Sequence, residues 1–187
     1  MTVVLARVDN RLIHGQVLEG WIPRINVSTI LVVDDGVADD SLRRAIMEIA
    51  VPSRIYCRFF HVQELKSYLE NGNSDSERIM ILFSEIQTVR RAIEAGIILG
   101  ILNIGNVHYE QGKQRITSSV SLNDEEICWL SEIDRKIPID IRATPDDAMV
   151  SLSELLEKAR GAAALAGRAC LKKTPGWRNR WPFRLFY

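Results

Sequence analysis

From its first residues onward the chain alternates short apolar runs rich in Val, Ile and Leu with longer amphipathic stretches of helical spacing. Few folds accommodate that rhythm. Apolar runs separated by amphipathic helices build βαβ units, in which parallel strands are covered by helices on both faces. The runs predict strands at 3–8, 29–33, 55–60, 79–83, 101–104 and 139–142, and helices at 16–21, 39–50, 62–71, 86–95, 124–136 and 152–166. Two helix starts carry their own signal: Asn123 with Glu126 three residues on forms a capping box ahead of Ile127 and Leu130, and Ser151 is a cap for the last helix. Within 39–50, Leu42, Ala45, Ile46 and Ile49 share one face, the pattern of a helix laid on a sheet. The expected architecture is a single α/β domain over 1–160, with a mainly parallel central sheet covered by helices on both faces. A C-terminal extension, 161–187, follows it.

Length and composition agree with a globular chain: 187 residues, 47% hydrophobic and 26% charged, suit one domain with a sizeable core. The longest apolar stretch, 95–105, is too short to span a bilayer, and the first residues lack the basic flank and apolar core of a signal peptide. A cytoplasmic protein is expected. Cys57, Cys128 and Cys170 are widely spaced with no C-x-x-C pair, so no zinc site is suggested, and no cofactor is called for. The formal net charge of zero hides an asymmetry. Residues 1–167 hold 18 basic against 24 acidic residues, whereas 168–187 hold six basic residues and no acid, interleaved with Trp177, Trp181, Phe183, Phe186 and Tyr187. Such a tail can settle on an anionic membrane surface or fold back on the acidic body. The acidic body opposes nucleic-acid binding.

The chemistry is concentrated in Arg7-Val-Asp-Asn-Arg-Leu-Ile-His14-Gly-Gln16, between the first strand and the first helix. In an open parallel sheet such a βα loop lies at the carboxyl end of its strand, where ligands gather. His14 there has a neutral, lone-pair-bearing nitrogen available as a nucleophile near pH 7. A phosphoryl group is the electrophile that suits its neighbours. Arg11 brings a permanent positive charge, Asp9 or Asn10 can orient Arg11 or the imidazole, and Gly15 and Gln16 supply donors at the helix start. Asp35, after the second strand, and Gly105 and Asn106, in a short loop expected after the fifth, are candidates for the rim. Asp34-Asp35-Gly36 is equally good turn chemistry, and no further ligands at metal-binding spacing lie nearby.

The run Arg-Val-Asp-Asn-Arg-Leu-Ile-His-Gly-Gln-Val closely resembles the start of the IIB component of mannose/fructose/sorbose-type sugar phosphotransferase systems. Leu31-Val-Val-Asp-Asp35, Leu102-Asn-Ile-Gly-Asn106 and Thr117-Ser-Ser-Val-Ser-Leu122 are similar to later segments of that family, in order, over about residues 2–155. The resemblance implies the activity of a protein-N(π)-phosphohistidine–sugar phosphotransferase. By that resemblance, His14 accepts a phosphoryl group from a phospho-IIA protein and passes it to a sugar entering through membrane IIC and IID subunits. A regulatory phosphocarrier without transport would use the same chemistry, and homo-oligomerisation stays open. Peripheral contact with the inner face of the membrane through the tail is a further expectation. Histidine phosphatases and phosphoglycerate mutases fit less well, because Ile13-His14-Gly15 lacks their Arg-His-Gly and the chain offers no second histidine counterpart.

Overall fold

The structure, a computed structural model, describes residues 1–71 and 76–156; the tail contacts and the extension 161–187 expected from sequence lie outside the described residues. Six strands form one parallel sheet: β1 (Thr2–Asp9), β2 (Thr29–Val33), β3 (Tyr56–Phe60), β4 (Arg78–Phe83), β5 (Leu102–Asn106) and β8 (Ile139–Asp140), in the order β3-β2-β4-β1-β5-β8. A small antiparallel pair, β6 (Gln114–Arg115) with β7 (Ser121–Leu122), went unforeseen because two-residue strands leave no periodicity to read. β1 sits between β4 and β5, so the carboxyl ends of both neighbours border its own. Its register with β5 shifts between Val8 and Asp9, a local irregularity where the chain leaves the sheet.

Alternation along the strands sorts the two faces. Ala6, Val8, Leu31, Val33, Ile79, Ile81, Phe83, Leu102 and Ile104 form one core with α4 (Val62–Asn71), α5 (Ile86–Glu94) and α6 (Asp124–Ile133). Leu5, Ile30, Val32, Met80 and Leu82 form the other, against Leu12, Ile13, Val17, Trp21, Ile22 and Val37. The helix after the loop, α1, runs further than expected: Gln16–Trp21 is wound as a π-helix and Ile22–Ile25 continues it as an α-helix, ended by Asn26 in the left-handed conformation. Asn123 and Glu126 form the full capping box of α6, and Ser151 accepts the Glu154 N–H at 3.2 Å where residues 152–156 are helical.

The expectation for 39–50 changes in two ways. Asp40 interrupts the run, its side chain accepting the Arg43 N–H at 3.0 Å, so α2 (Asp35–Asp39) and α3 (Ser41–Ala50) are separate helices. More consequentially, the apolar face of α3 is turned away from the sheet. Leu42, Ile46 and Ile49 are 69%, 59% and 85% exposed, no residue of α3 is buried, and only Arg44 and Met47 are half-buried. The apolar face of the sheet here is already covered by Val17, Trp21, Ile22 and Val37 from α1 and α2. α3 lies outside them, beside the edge strand β3.

Candidate functional site

Period-2 alternation on β1 places Leu5, Arg7 and Asp9 on one face, so the strand carries an arginine and an aspartate into the sheet interior, both with fully buried side chains. A buried guanidinium is tolerable only when all its donors are met. Arg7 Nε and Nη2 donate to Asp9 Oδ2 at 3.2 and 2.8 Å, Nη1 to Asn103 Oδ1 at 2.5 Å and to the Arg142 carbonyl at 3.3 Å, and Nη2 to the Ala143 carbonyl at 3.0 Å. These account for the five N–H donors of the group. Trp21 covers the arrangement: the guanidinium carbons of Arg7 and Arg142 lie 5.4 and 5.1 Å from its ring centroid, and its indole N–H donates to the Ala143 carbonyl at 3.1 Å. Asn103 Nδ2 and Arg142 Nε both donate to Asp140 Oδ2, at 3.2 and 2.8 Å.

Asp9 is the hub between this buried network and the loop. Its Oδ2 lies 2.8 Å from His14 Nε2, and its Oδ1 accepts the Arg11 backbone N–H at 3.1 Å and lies 3.8 Å from Arg11 Nε. Burial pushes the Asp9 carboxyl up, but the His14 hydrogen bond and the Arg7 charge outweigh it and hold the group below the usual carboxylate range. An ionised carboxylate only accepts, so His14 Nε2 must carry the hydrogen and Nδ1 the lone pair of the neutral ring. The loop is pinned beneath the histidine by Leu12, which is buried and held at a left-handed φ of +55°, with its N–H on the Asp9 carbonyl at 2.9 Å.

The remaining sequence candidates divide. Arg11, 44% exposed, donates from Nη2 to Gln16 Oε1 at 2.7 Å, so Asp9, Arg11, His14 and Gln16 form one cluster. Gly15 opens α1 in ordinary right-handed geometry, and a Cβ there would meet nothing within 4 Å; no conformational need selects glycine, and the space beside His14 is open. Asn10 orients neither Arg11 nor the ring. Its Nδ2 donates to the Ser84 carbonyl at 2.7 Å and its Oδ1 accepts the His108 N–H at 2.6 Å, tying β1 to the ends of β4 and β5. Gly105 and Asn106 are not a loop, because β5 runs through both. Gly105 lies under Arg7, where a Cβ would fall 1.9 Å from the guanidinium carbon, and Asn106 Nδ2 pairs with His108 Nε2 at 3.1 Å. Asp35 is committed elsewhere: it accepts the Val62 N–H at 3.0 Å and pairs with Arg91 at 2.7 Å. Among the described residues no cluster of three or more His, Cys, Asp or Glu could hold a metal ion.

The chain matches the family model of the PTS system sorbose subfamily IIB component over residues 3–166. This chain belongs to that family. The IIB chain is 31% identical over 159 residues to the PTS system mannose-specific EIIAB component of Escherichia coli strain K12, covering 84% of its own length and 49% of that protein, so it spans about half of that relative. It is 29% identical to the fructose-specific EIIB component of Bacillus subtilis strain 168, covering 83% of itself and 96% of the relative. Among solved structures it resembles manxB from Thermoanaerobacter tengcongensis at a TM-score of 0.79, with 31% identity over 84% of this chain and 96% of that one. The IIBSor domain of the Klebsiella pneumoniae sorbose permease gives 0.78, with 28% identity over 84% and 98%.

In the sequence of this IIB chain Arg7, Asn103, Asp140 and Arg142 carry no expected site role, and Trp21 reads as a core residue, which it is, without its cover of the two arginines. For Arg7 a signal existed: a basic residue two positions before an acid, inside an apolar strand, puts both on one buried face. For Asn103 and Asp140 none did, because strand order alone sets Asn103 beside Arg7 and Asp140 beside Asn103.

Proposed function

We propose that this chain is a phosphocarrier in which His14 Nδ1 takes a phosphoryl group from a phosphohistidine on a IIA protein. The group then passes to a sugar arriving through membrane IIC and IID subunits. The observation that carries the reading is the 2.8 Å contact of Asp9 with Nε2, which leaves Nδ1 as the nucleophilic nitrogen. As the donor's P–N bond breaks and the P–Nδ1 bond forms, Nε2 keeps its proton, and the positive charge developing on the ring faces Asp9. Arg7, locked by five hydrogen bonds, holds Asp9 in place and ionised. Arg11, the exposed cation of the cluster, meets the equatorial phosphate oxygens, and the open space at Gly15 admits the donor. The sugar oxygen then attacks phosphorus and the P–Nδ1 bond breaks, the hydroxyl proton leaving to water and His14 returning to its neutral form with the hydrogen on Nε2. Domain 1–160 carries this chemistry, and the extension 161–187 takes no part in it.

Incubation with the general phosphotransferase proteins, a matching IIA and labelled phosphoenolpyruvate tests the reading. Acid-labile, base-stable label is expected and His14→Ala should abolish it; label surviving that change would defeat the assignment. Nitrogen-15 spectra of the phosphoprotein should place phosphorus on Nδ1, and phosphorus on Nε2 would overturn the role given to Asp9.

A further inference from the structure

Helix α3 has its apolar stripe on the wrong side for a structural role. Leu42, Ile46 and Ile49 recur at i, i+4 and i+7 along one line of the helix, while the half-buried Arg44 and Met47 lie on the opposite side. Of the seven large hydrophobic side chains exposed among the described residues, these three fall within eight positions of one helix. Exposed apolar groups scattered singly need no explanation, but a stripe on one helix does. Its surroundings are basic. Residues 41–58 hold Arg43, Arg44, Arg54 and Arg58 against the single acid Glu48, on a body in which acids outnumber bases. Arg43 and Arg54 are exposed and enter no ion pair among the described residues. The two acids just before the helix are occupied, Asp39 facing His61 Nε2 at 3.2 Å and Asp40 capping α3.

We infer that α3 is a docking surface for an anionic phospholipid membrane, with Leu42, Ile46 and Ile49 entering the headgroup boundary and Arg43 and Arg54 meeting lipid phosphates. Amphipathic helices with basic flanks bind bilayers in this way, lying in the interface plane with the apolar side down. The charge pattern favours lipid over a second copy of the chain, because a two-fold interface centred on the stripe brings the arginines of both copies together. The stripe also offers only three large apolar side chains over about 10 Å at ~1.5 Å per residue, against the roughly 20–30 residues per side in a stable protein interface. A fluid surface needs no such complement. α3 lies beside edge strand β3, three strand spacings of about 4.8 Å from β1, so docking there leaves the mouth of the His14 loop uncovered. The inference stands apart from the chemistry proposed at His14.

Sedimentation of the full chain with vesicles of phosphatidylglycerol mixed into phosphatidylcholine tests it. Leu42→Ser/Ile46→Ser/Ile49→Ser should lower the bound fraction at least tenfold, with an unchanged melting temperature and an unchanged rate of His14 phosphorylation. Arg43→Gln/Arg54→Gln should weaken binding several-fold and flatten its salt dependence, and pure phosphatidylcholine should bind little. Vesicle binding that is absent, or that survives the α3 changes, overturns the inference. So does a fall in oligomeric state on the triple substitution, which would give the stripe to a second copy. Binding confined to vesicles carrying membrane transport subunits would give it to a protein instead, and a lowered melting temperature would mean the three side chains are packed rather than free.

Discussion

The two sides of the central sheet invert the usual distribution of residues in opposite senses. Around β1, β5 and β8 the protein buries charge: Arg7, Asp9 and Asp140 lie within the fold, linked through Asn103 and covered by Trp21. Beside β3 it exposes hydrocarbon, the Leu42, Ile46 and Ile49 stripe of α3. The first costs desolvation, and with every N–H of the Arg7 guanidinium hydrogen-bonded it fixes one geometry for the carboxylate that holds His14. The second leaves three large apolar side chains of one helix in water. Each arrangement has a proposed counterpart, a phosphoryl donor at His14 and a lipid surface at α3.

The contrast breaks most readily at Arg7. Arg7→Leu leaves Asp9 buried without its counter-charge and should cost about 3–5 kcal/mol of stability, read as a lowered urea midpoint, together with loss of phosphoryl transfer. A variant that melts normally would mean that Arg7 does not support the carboxylate. Gly105→Ala tests the same network without touching a charge. The new methyl meets the Arg7 guanidinium, so a loss of about 1–3 kcal/mol from overpacking is expected, with slower His14 phosphorylation in whatever remains folded. An unchanged rate and melt would show that the guanidinium has room to move.

Acid sharpens the comparison. Because Asp9 is held below its ordinary value, its stabilisation is complete above the unfolded carboxylate range near pH ~3.9 and drains away as pH falls through the lower folded value. Melting temperature followed from pH 6 downward should therefore drop more steeply in the native chain than in Asp9→Asn, which starts less stable. Parallel curves would remove Asp9 from the linkage. Arg11→Ala should change the melt by less than about 1 kcal/mol, as expected for an exposed ion pair, yet slow transfer clearly. The reverse pattern, a damaged fold with normal transfer, would make Arg11 a structural partner of Asp9. On the other edge, Ile49→Ser should move stability by no more than roughly 0.5 kcal/mol, because the side chain is already in water. A substantial loss would erase the contrast between the two regions.

Much of this was legible in sequence because it depends on local order. The strand periodicity that predicted 3–8 and 79–83 yielded β1 and β4 within a residue or two, and the Asn123–Glu126 box opens α6 where it was read. The loop from Asp9 to Gln16 was likewise readable, since neighbours in sequence become neighbours in space when a tight turn joins strand to helix. Asp9, Arg11, His14 and Gln16 do meet. What periodicity could not say was which side of a stripe faces inward. The spacing of Leu42, Ala45, Ile46 and Ile49 is the same whether the stripe faces the sheet or solvent, and only the prior cover of that sheet face by α1 and α2 turns it outward.

Local chain order thus determined the alternation, the strand ends, the helix caps and the residues sharing the histidine loop, because each depends on atoms within a few bonds of one another. Tertiary structure alone decided that Asn103, Gly105 and the Arg142 and Ala143 carbonyls would enclose Arg7, some ninety to one hundred and forty residues away in the chain. The reason is strand order. β5 comes late in sequence yet lies next to β1 in the sheet, with β8 one strand beyond it, and a buried cation takes its partners from whatever the sheet sets beside it.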